Sequence, residues 1–251
     1  PVYLRDRLRP RYDEVAASRR TGVQDAVAAW AECAELPPHD VVVREGSPAK
    51  EIEREADAFG ADLVVAGARG LNRLAEVLLG STSRGLLRRV GCDLLVVHAR
   101  EAEPPAIRRV VVATDFYDPS KAAARRAAAI AQQTGAELLA LHVIDRDLWT
   151  ASAYDESAVG HTQVDRAWLE KSVGEMMREF NQETMGGKAR EVIRHGRPGK
   201  ETGQVAADER ADLVVVGTHG AGALERALLG SVAEEIVEHA RAPVLVVRRT
   251  E

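Results

Sequence analysis

At 251 residues, with 45% apolar and 29% charged residues and a net charge of −5, the chain has the make-up of a globular protein with room for one large domain or two ordinary ones. Aromatics at 4%, and basic residues interleaved with acids, argue against nucleic acid as a partner, and no apolar run nears the roughly 18 residues needed to span a bilayer. Cys33 and Cys92 stand far apart and outside any CxxC or Cys/His spacing, which indicates neither zinc nor a disulfide framework; with no signal-peptide pattern after Pro1, the chain reads as cytoplasmic.

Residues 1–20 are rich in Arg and carry no clear strand. Val23, Val27, Trp30 and Ala34 fit one face of a helix that ends near Pro37-Pro38, and Val41-Val42-Val43 is a short strand candidate. Gly46-Ser47-Pro48 then predicts a turn, with Ser as N-cap and Pro at the first position of a helix from about Pro48 to Phe59, ended by Gly60. Leu63 to Ala66 reads as a strand, followed by a helix from about Ser81 to Val90 and a strand from Leu94 to His98. The segment from Arg100 to Ala106, centred on Pro104-Pro105, reads as a linker.

A second series begins at the strand Ile107 to Ala113, which ends at Thr114-Asp115. Asp118-Pro119 reads as N-cap and first position of an Ala-rich helix that runs to Thr134 and closes at Gly135. Leu138 to Ile144 is a strand; Leu169, Val173, Met176, Met177 and Phe180 share a helical face ended by Gly186-Gly187; Ala189 to Ile193 is a third strand. From here the halves run in step at an offset of 150 residues. Gly46 answers to Gly196, Pro48 to Pro198, Lys50-Glu51 to Lys200-Glu201, and Ala61-Asp62-Leu63-Val64-Val65 to Ala211-Asp212-Leu213-Val214-Val215. Continuous Val/Leu strands alternating with helices predict parallel sheets covered on both faces.

One pattern occurs in both halves. Gly217-Thr218-His219-Gly220 follows an apolar strand and, nine residues on, meets Gly230-Ser231; Gly67-Ala68-Arg69-Gly70 meets Gly80-Ser81 at the same spacing. Glycines at a strand's carboxyl end, followed by a helix start, lay out an anion cradle, because the backbone can approach closely and the first helical N–H groups are unpaired. Each residue has a structural competitor. Gly217 and Gly220 would also make a tight turn, Ser231 with Glu234 is a capping box, His219 would serve as a solvated loop residue, and Asp115 as a turn-former.

These motifs, with the strand Pro243-Val244-Leu245-Val246-Val247, resemble the nucleotide-binding branch of the universal stress protein family in tandem form. The resemblance covers residues 107–251, a complete second domain, and, through the repeat, about residues 21–99 of a partial first domain taken as residues 1–99. It implies an α/β fold of two Rossmann-like domains, each a parallel five-stranded sheet of order 3-2-1-4-5 with helices on both faces. It further implies ATP, AMP or another adenine nucleotide as ligand, with Mg²⁺ as an optional companion. Intramolecular pairing of the repeats through Leu94–His98 and Val244–Arg248 follows, as does room for a homo-oligomer. Carried over by position, Asp115 contacts the ribose and adenine side and Val143 holds adenine through its backbone. Gly217, His219 and Gly220 line the phosphate path, and Gly230, Ser231 and Val232 grip the phosphates. Gly67, Arg69, Gly70, Gly80 and Ser81 form the weaker first copy.

Counting back by 150, the counterparts of Ile107 to Ile144 lie before residue 1, so the first domain is expected to lack strands 1 and 2. Its strand 3 would stand apart from strands 4 and 5, and the expectation is a chain that begins further upstream or takes those strands from another polypeptide. Sharper chemistries fail. In Gly196-Arg197-Pro198-Gly199-Lys200-Glu201, Arg194 stands where a P-loop's first Gly belongs and Glu201 where its Ser or Thr belongs. Ser81-Thr82-Ser83-Arg84-Gly85 lacks the first Gly of a nucleophile elbow, and the loop from Thr114 to Asp118 lacks the glycines of an adenine-nucleotide ligase. The seven histidines form no metal motif. The reading is a nucleotide-dependent stress-response regulator, at most a slow ATP hydrolase, with a pseudo-dimeric scaffold as the alternative.

Overall fold

The computed structural model describes residues 18–19, 21–29, 31–33, 40–68, 79–98, 106–145, 166–218 and 230–248. The chain divides into two units, residues 1–51 and 52–251. In the first, residues 21–29 and 31–33 are helical, with Val23 and Val27 exposed. Residues 41–43, expected as a strand, form none. A strand exists only through its ladder, and no described strand pairs with this segment, so its β-branched residues stay without regular structure.

The helix α1 (Pro48–Phe59) begins in the first unit, and the Ser47 carbonyl accepts its first N–H groups, from Lys50 and Glu51. Then follow β1 (Leu63–Gly67), α2 (Ser81–Leu87), β2 (Asp93–Val97), β3 (Arg109–Thr114), α3 (Asp118–Thr134), β4 (Glu137–Asp145), α4 (Arg166–Met185), β5 (Arg190–Gly196), α5 (Pro198–Asp208), β6 (Leu213–Gly217), α6 (Ser231–His239) and β7 (Val244–Val247). The helices end where left-handed glycines end them: Gly135 closes α3 at φ 71°, and Gly186-Gly187 follow α4 at 64° and 70°.

The strands make one sheet in the order β1-β2-β7-β6-β3-β4-β5. Within the second repeat β5-β4-β3-β6-β7 is the expected order 3-2-1-4-5, with every ladder parallel. Among the described residues the first repeat contributes β1 and β2, which pair in parallel, and β2 runs antiparallel to β7. Through this ladder the strands of the two repeats form one continuous sheet. On one face α3 and α4 cover β3, β4 and β6, burying Ala123, Ala127, Met177 and Phe180 against Val110, Val112, Ala140 and Val215. On the other, α5 lies on β4 and β5, α6 on β7 and α2 on β2. Met176, expected on the buried face of α4, is exposed; the buried stripe runs through Val173, Met177 and Phe180. Among the described residues no helix is long and apolar enough to cross a membrane.

Candidate functional site

The chain runs from β3 through β4 to β5 on one side, then returns to place β6 and β7 on the other side of β3. The carboxyl ends of β3 and β6 therefore flank a switch in strand order, where open α/β sheets bind ligands. Asp115 follows β3, Val143 lies near the end of β4 and Gly217 ends β6, so the topology gathers all three at one sheet edge. The β3–β4 ladder stops at Thr114 opposite His142, while β4 continues to Asp145. The backbone of residues 143–145 thus overhangs the end of β3 as a shelf.

At the β6 end the loop is pinned at its base. The Gly230 N–H donates to the Thr218 carbonyl at 2.6 Å, which brings Gly217 and Gly230 together. The first copy repeats this, with the Gly80 N–H 2.8 Å from the Ala68 carbonyl oxygen and the Ser83 hydroxyl donating to the Gly67 carbonyl at 2.6 Å. Helix α6 begins at Ser231 with Gly230 as N-cap, and its first backbone bond runs from Glu234 N–H to Gly230. The N–H groups of residues 231–233 precede that bond, on the positive end of the helix dipole, and Ser231 and Val232 are exposed. Arg69, Gly70, His219 and Gly220 lie outside the described residues.

Two expected caps are displaced by one residue. The capping box of Ser231 with Glu234 does not form, since Gly230 is the N-cap without a side-chain bond and the Glu234 carboxylate pairs with Arg84 and Arg88. In α3 the N-cap is Tyr117 rather than Asp118, so Asp118-Pro119 are the first two helical residues. Gly217 has a packing reason as well: a Cβ there would sit 2.6 Å from the Pro119 carbonyl oxygen and 3.0 Å from the Ser120 nitrogen.

Asp115 is half-buried, and its Oδ1 accepts the Tyr117 N–H at 3.2 Å, so the turn-forming role is real and engages one of its two carboxylate oxygens. The loop is set by Thr114, whose hydroxyl accepts the Phe116 N–H at 2.9 Å and lies 3.0 Å from the Ser120 hydroxyl. Phe116 itself stands at φ 72°, a left-handed conformation uncommon for a bulky residue. Its ring stacks on His142, centroids 4.4 Å apart, and meets the edge of Phe180 at 5.7 Å. His142 Nδ1 is 2.8 Å from the Thr114 carbonyl oxygen. Burial lowers the His142 pKa, against the opposing pull of the Thr114 carbonyl and the Asp115 charge. Sequence reasoning missed this Phe116–His142 stack; nothing in the local sequence marks Phe116 for positive φ, because the contact holding it comes from β4. No group of His, Cys, Asp and Glu among the described residues is placed to hold a metal ion.

A glycine-pinned helix start follows β6, a carboxylate follows the neighbouring β3 and a protruding backbone ends β4, all at the carboxyl end of the sheet beside the switch point. The sequence has known relatives. A universal stress protein of Mycobacterium tuberculosis is 35% identical over 193 residues, 76% of this chain and 63% of its own length. The chain thus spans less than two thirds of that relative. A shorter universal stress protein of Methanocaldococcus jannaschii is 34% identical over 144 residues, 57% of this chain and 82% of that one. Among solved structures, a universal stress protein from Archaeoglobus fulgidus superposes with a TM-score of 0.68 at 22% identity, over 96% of this chain and 82% of that one, which supports the fold. The universal stress protein family model matches residues 6–98 and again 106–248, and the chain belongs to that family.

Proposed function

We propose that the chain binds an adenine nucleotide at the edge formed by β3, β4 and β6, and acts in the cytoplasm as a nucleotide-dependent regulator of a stress response. The observation that supports this reading is that the α6 start, pinned by Gly230 to Thr218, follows β6, while Asp115 follows the adjacent β3 and the 143–145 shelf ends β4 at the same end of the sheet. The N–H groups of residues 231–233 would receive phosphate oxygens, with the helix dipole favouring negative charge there. A carboxylate repels phosphate, so Asp115 belongs at the other end of the ligand, accepting a ribose hydroxyl. The backbone at Val143 offers donor and acceptor groups suited to the adenine edge. Arg69, Gly70, His219 and Gly220 complete the two loops in this reading, the complete site lies in a second domain of residues 107–251, and the β2–β7 ladder stands in for a dimer joint. A second reading, a scaffold with structural cradles, is favoured by the packing of Gly217 on Pro119 and by the turn bond of Asp115.

The test is to identify nucleotide released from the purified protein, and to titrate ATP and AMP into the native chain and into Gly230→Val. Gly230 has φ −66° and ψ 143°, which any residue adopts, so the valine blocks ligand approach without straining the backbone. Retained adenine nucleotide and a loss of affinity of about a hundredfold in the variant are expected, the scale of a few lost charge-assisted bonds. Absence of any ATP or AMP binding would favour the scaffold, and binding with an affinity unchanged by the valine would remove the α6 N-terminus from the site.

A further inference from the structure

The joint between the repeats is built about a pseudo-two-fold axis. In the β2–β7 ladder Leu95 stands opposite Leu245, its own equivalent at the 150-residue offset, while Leu94 faces Val246 and Val96 faces Val244. The flanking helices obey the same symmetry, but with the charge inverted. Arg84 on α2 is equivalent to Glu234 on α6, and Arg88, at the end of α2, to Glu238. The Arg84 guanidinium is 3.2 Å from Glu234 and 2.5 Å from Glu238, and Arg88 is 3.1 Å from Glu234. The first pair lies on the axis, and the other two exchange under it. Three contacts thus close into one set in which every position meets its opposite in sign.

A symmetric joint sets one patch against an identical patch. Between two copies of the first repeat it would crowd four arginines about the axis, and between two copies of the second, four glutamates. The apolar part of the joint makes no such distinction. Leu94 and Val244 are equivalents, as are Val96 and Val246, and all four are fully buried. Neighbouring charges stay within their own repeats, Arg89 just after α2 with Glu53, and Glu235 on α6 with Arg197. Buried Asp93 adds a one-way contact, its Oδ1 accepting the Arg248 N–H at 2.9 Å and its Oδ2 lying 3.4 Å from Arg126. Its equivalent, Pro243, has no carboxylate to offer.

We propose that Arg84, Arg88, Glu234 and Glu238 make this joint heterotypic: a first-repeat face accepts a second-repeat face and rejects a copy of itself. Each ion pair is individually weak at a partly exposed site, so discrimination comes mainly from the repulsion built into the wrong pairing. The joint therefore closes within one chain, and a second copy of the chain can use it only by presenting the opposite repeat.

Charge reversal in the full chain reproduces each wrong joint. R84E/R88E gives the all-acidic arrangement of two second repeats, and E234R/E238R the all-basic arrangement of two first repeats. Thermal unfolding is measured for both, and for the fourfold swap, between about 20 mM and 500 mM salt, a range that spans strong to weak screening. Each double variant is expected to lose about 5 °C or more at low salt and to recover as salt rises, opposite to the native chain; the fourfold swap regains the native midpoint and the native salt slope. The proposal is overturned if the double variants keep the native slope, or if the fourfold swap remains as unstable as they are.

Discussion

His142 illustrates what a single residue does to this fold. Its ring supports Phe116 in a left-handed conformation, its Nδ1 meets the Thr114 carbonyl, and burial depresses its pKa below the ordinary 6.5. The unfolded chain therefore takes up a proton at a higher pH than the folded chain does. Stability from the neutral imidazole is fully present above 6.5, and is lost as pH falls through 6.5 toward the lower folded value. Denaturant midpoints of the native chain should decline from pH 7.5 to 5.5, whereas His142→Gln, lower throughout, should show less of that decline. Equal pH dependence in the two proteins would mean that His142 is not the titrating group. Asn181 is a residue of the other kind, wholly structural: its Nδ2 donates to the Ala189 carbonyl and to Glu191, and its Oδ1 accepts the Ala189 N–H, fastening the start of β5 to α4. Neither role has a sequence signature, because each depends on a partner brought by another element.

The elements were legible where backbone chemistry is local. Gly135 and Gly186-Gly187 end helices because they accept positive φ, and Pro198 opens α5 because its missing N–H lies in the first turn. The duplicated turns before α1 and α5 keep even their dihedrals, with Gly46 at φ 143° over Glu51 and Gly196 at φ 149° over Glu201. Residues 41–43 were not legible in this way, since β propensity cannot supply a neighbouring strand. The glycine pattern at the end of β6 was legible, but its meaning was incomplete. Gly217 is required by the N-terminus of α3, whose Pro119 and Ser120 backbone would meet any Cβ within 3.0 Å. Gly217→Ala should cost about 2 kcal/mol in denaturant unfolding, the scale of an overpacked interior, with the m-value unchanged. Gly91→Ala is the control, because a Cβ there meets nothing within 4 Å and should change stability by less than about 0.5 kcal/mol.

At the scale of the molecule the repeat separates what a sequence prefers from what its surroundings permit. One row of side chains crosses the sheet through Val65, Leu95, Leu245, Val215, Val112 and Ala140, each registered with the next. Val215 is 0% exposed and its equivalent Val65 is 60% exposed, though both follow the same Leu-Val pair. The difference is entirely one of neighbours. Strand β6 has β3 and β7 beside it and α3 above it, while β1 among the described residues pairs with β2 alone. Propensity, pattern and turn chemistry are thus the same for both strands, and only burial and ladder hydrogen bonds distinguish them. Amide hydrogen exchange reads that difference directly, because opening β6 disrupts the core whereas β1 can open by leaving one ladder. Protection in residues 63–66 should be lower than in residues 213–216 by a factor on the order of a hundred or more, with the sparsest protection on the side of β1 away from β2. Equal protection would show that β1 acquires a second neighbour in solution.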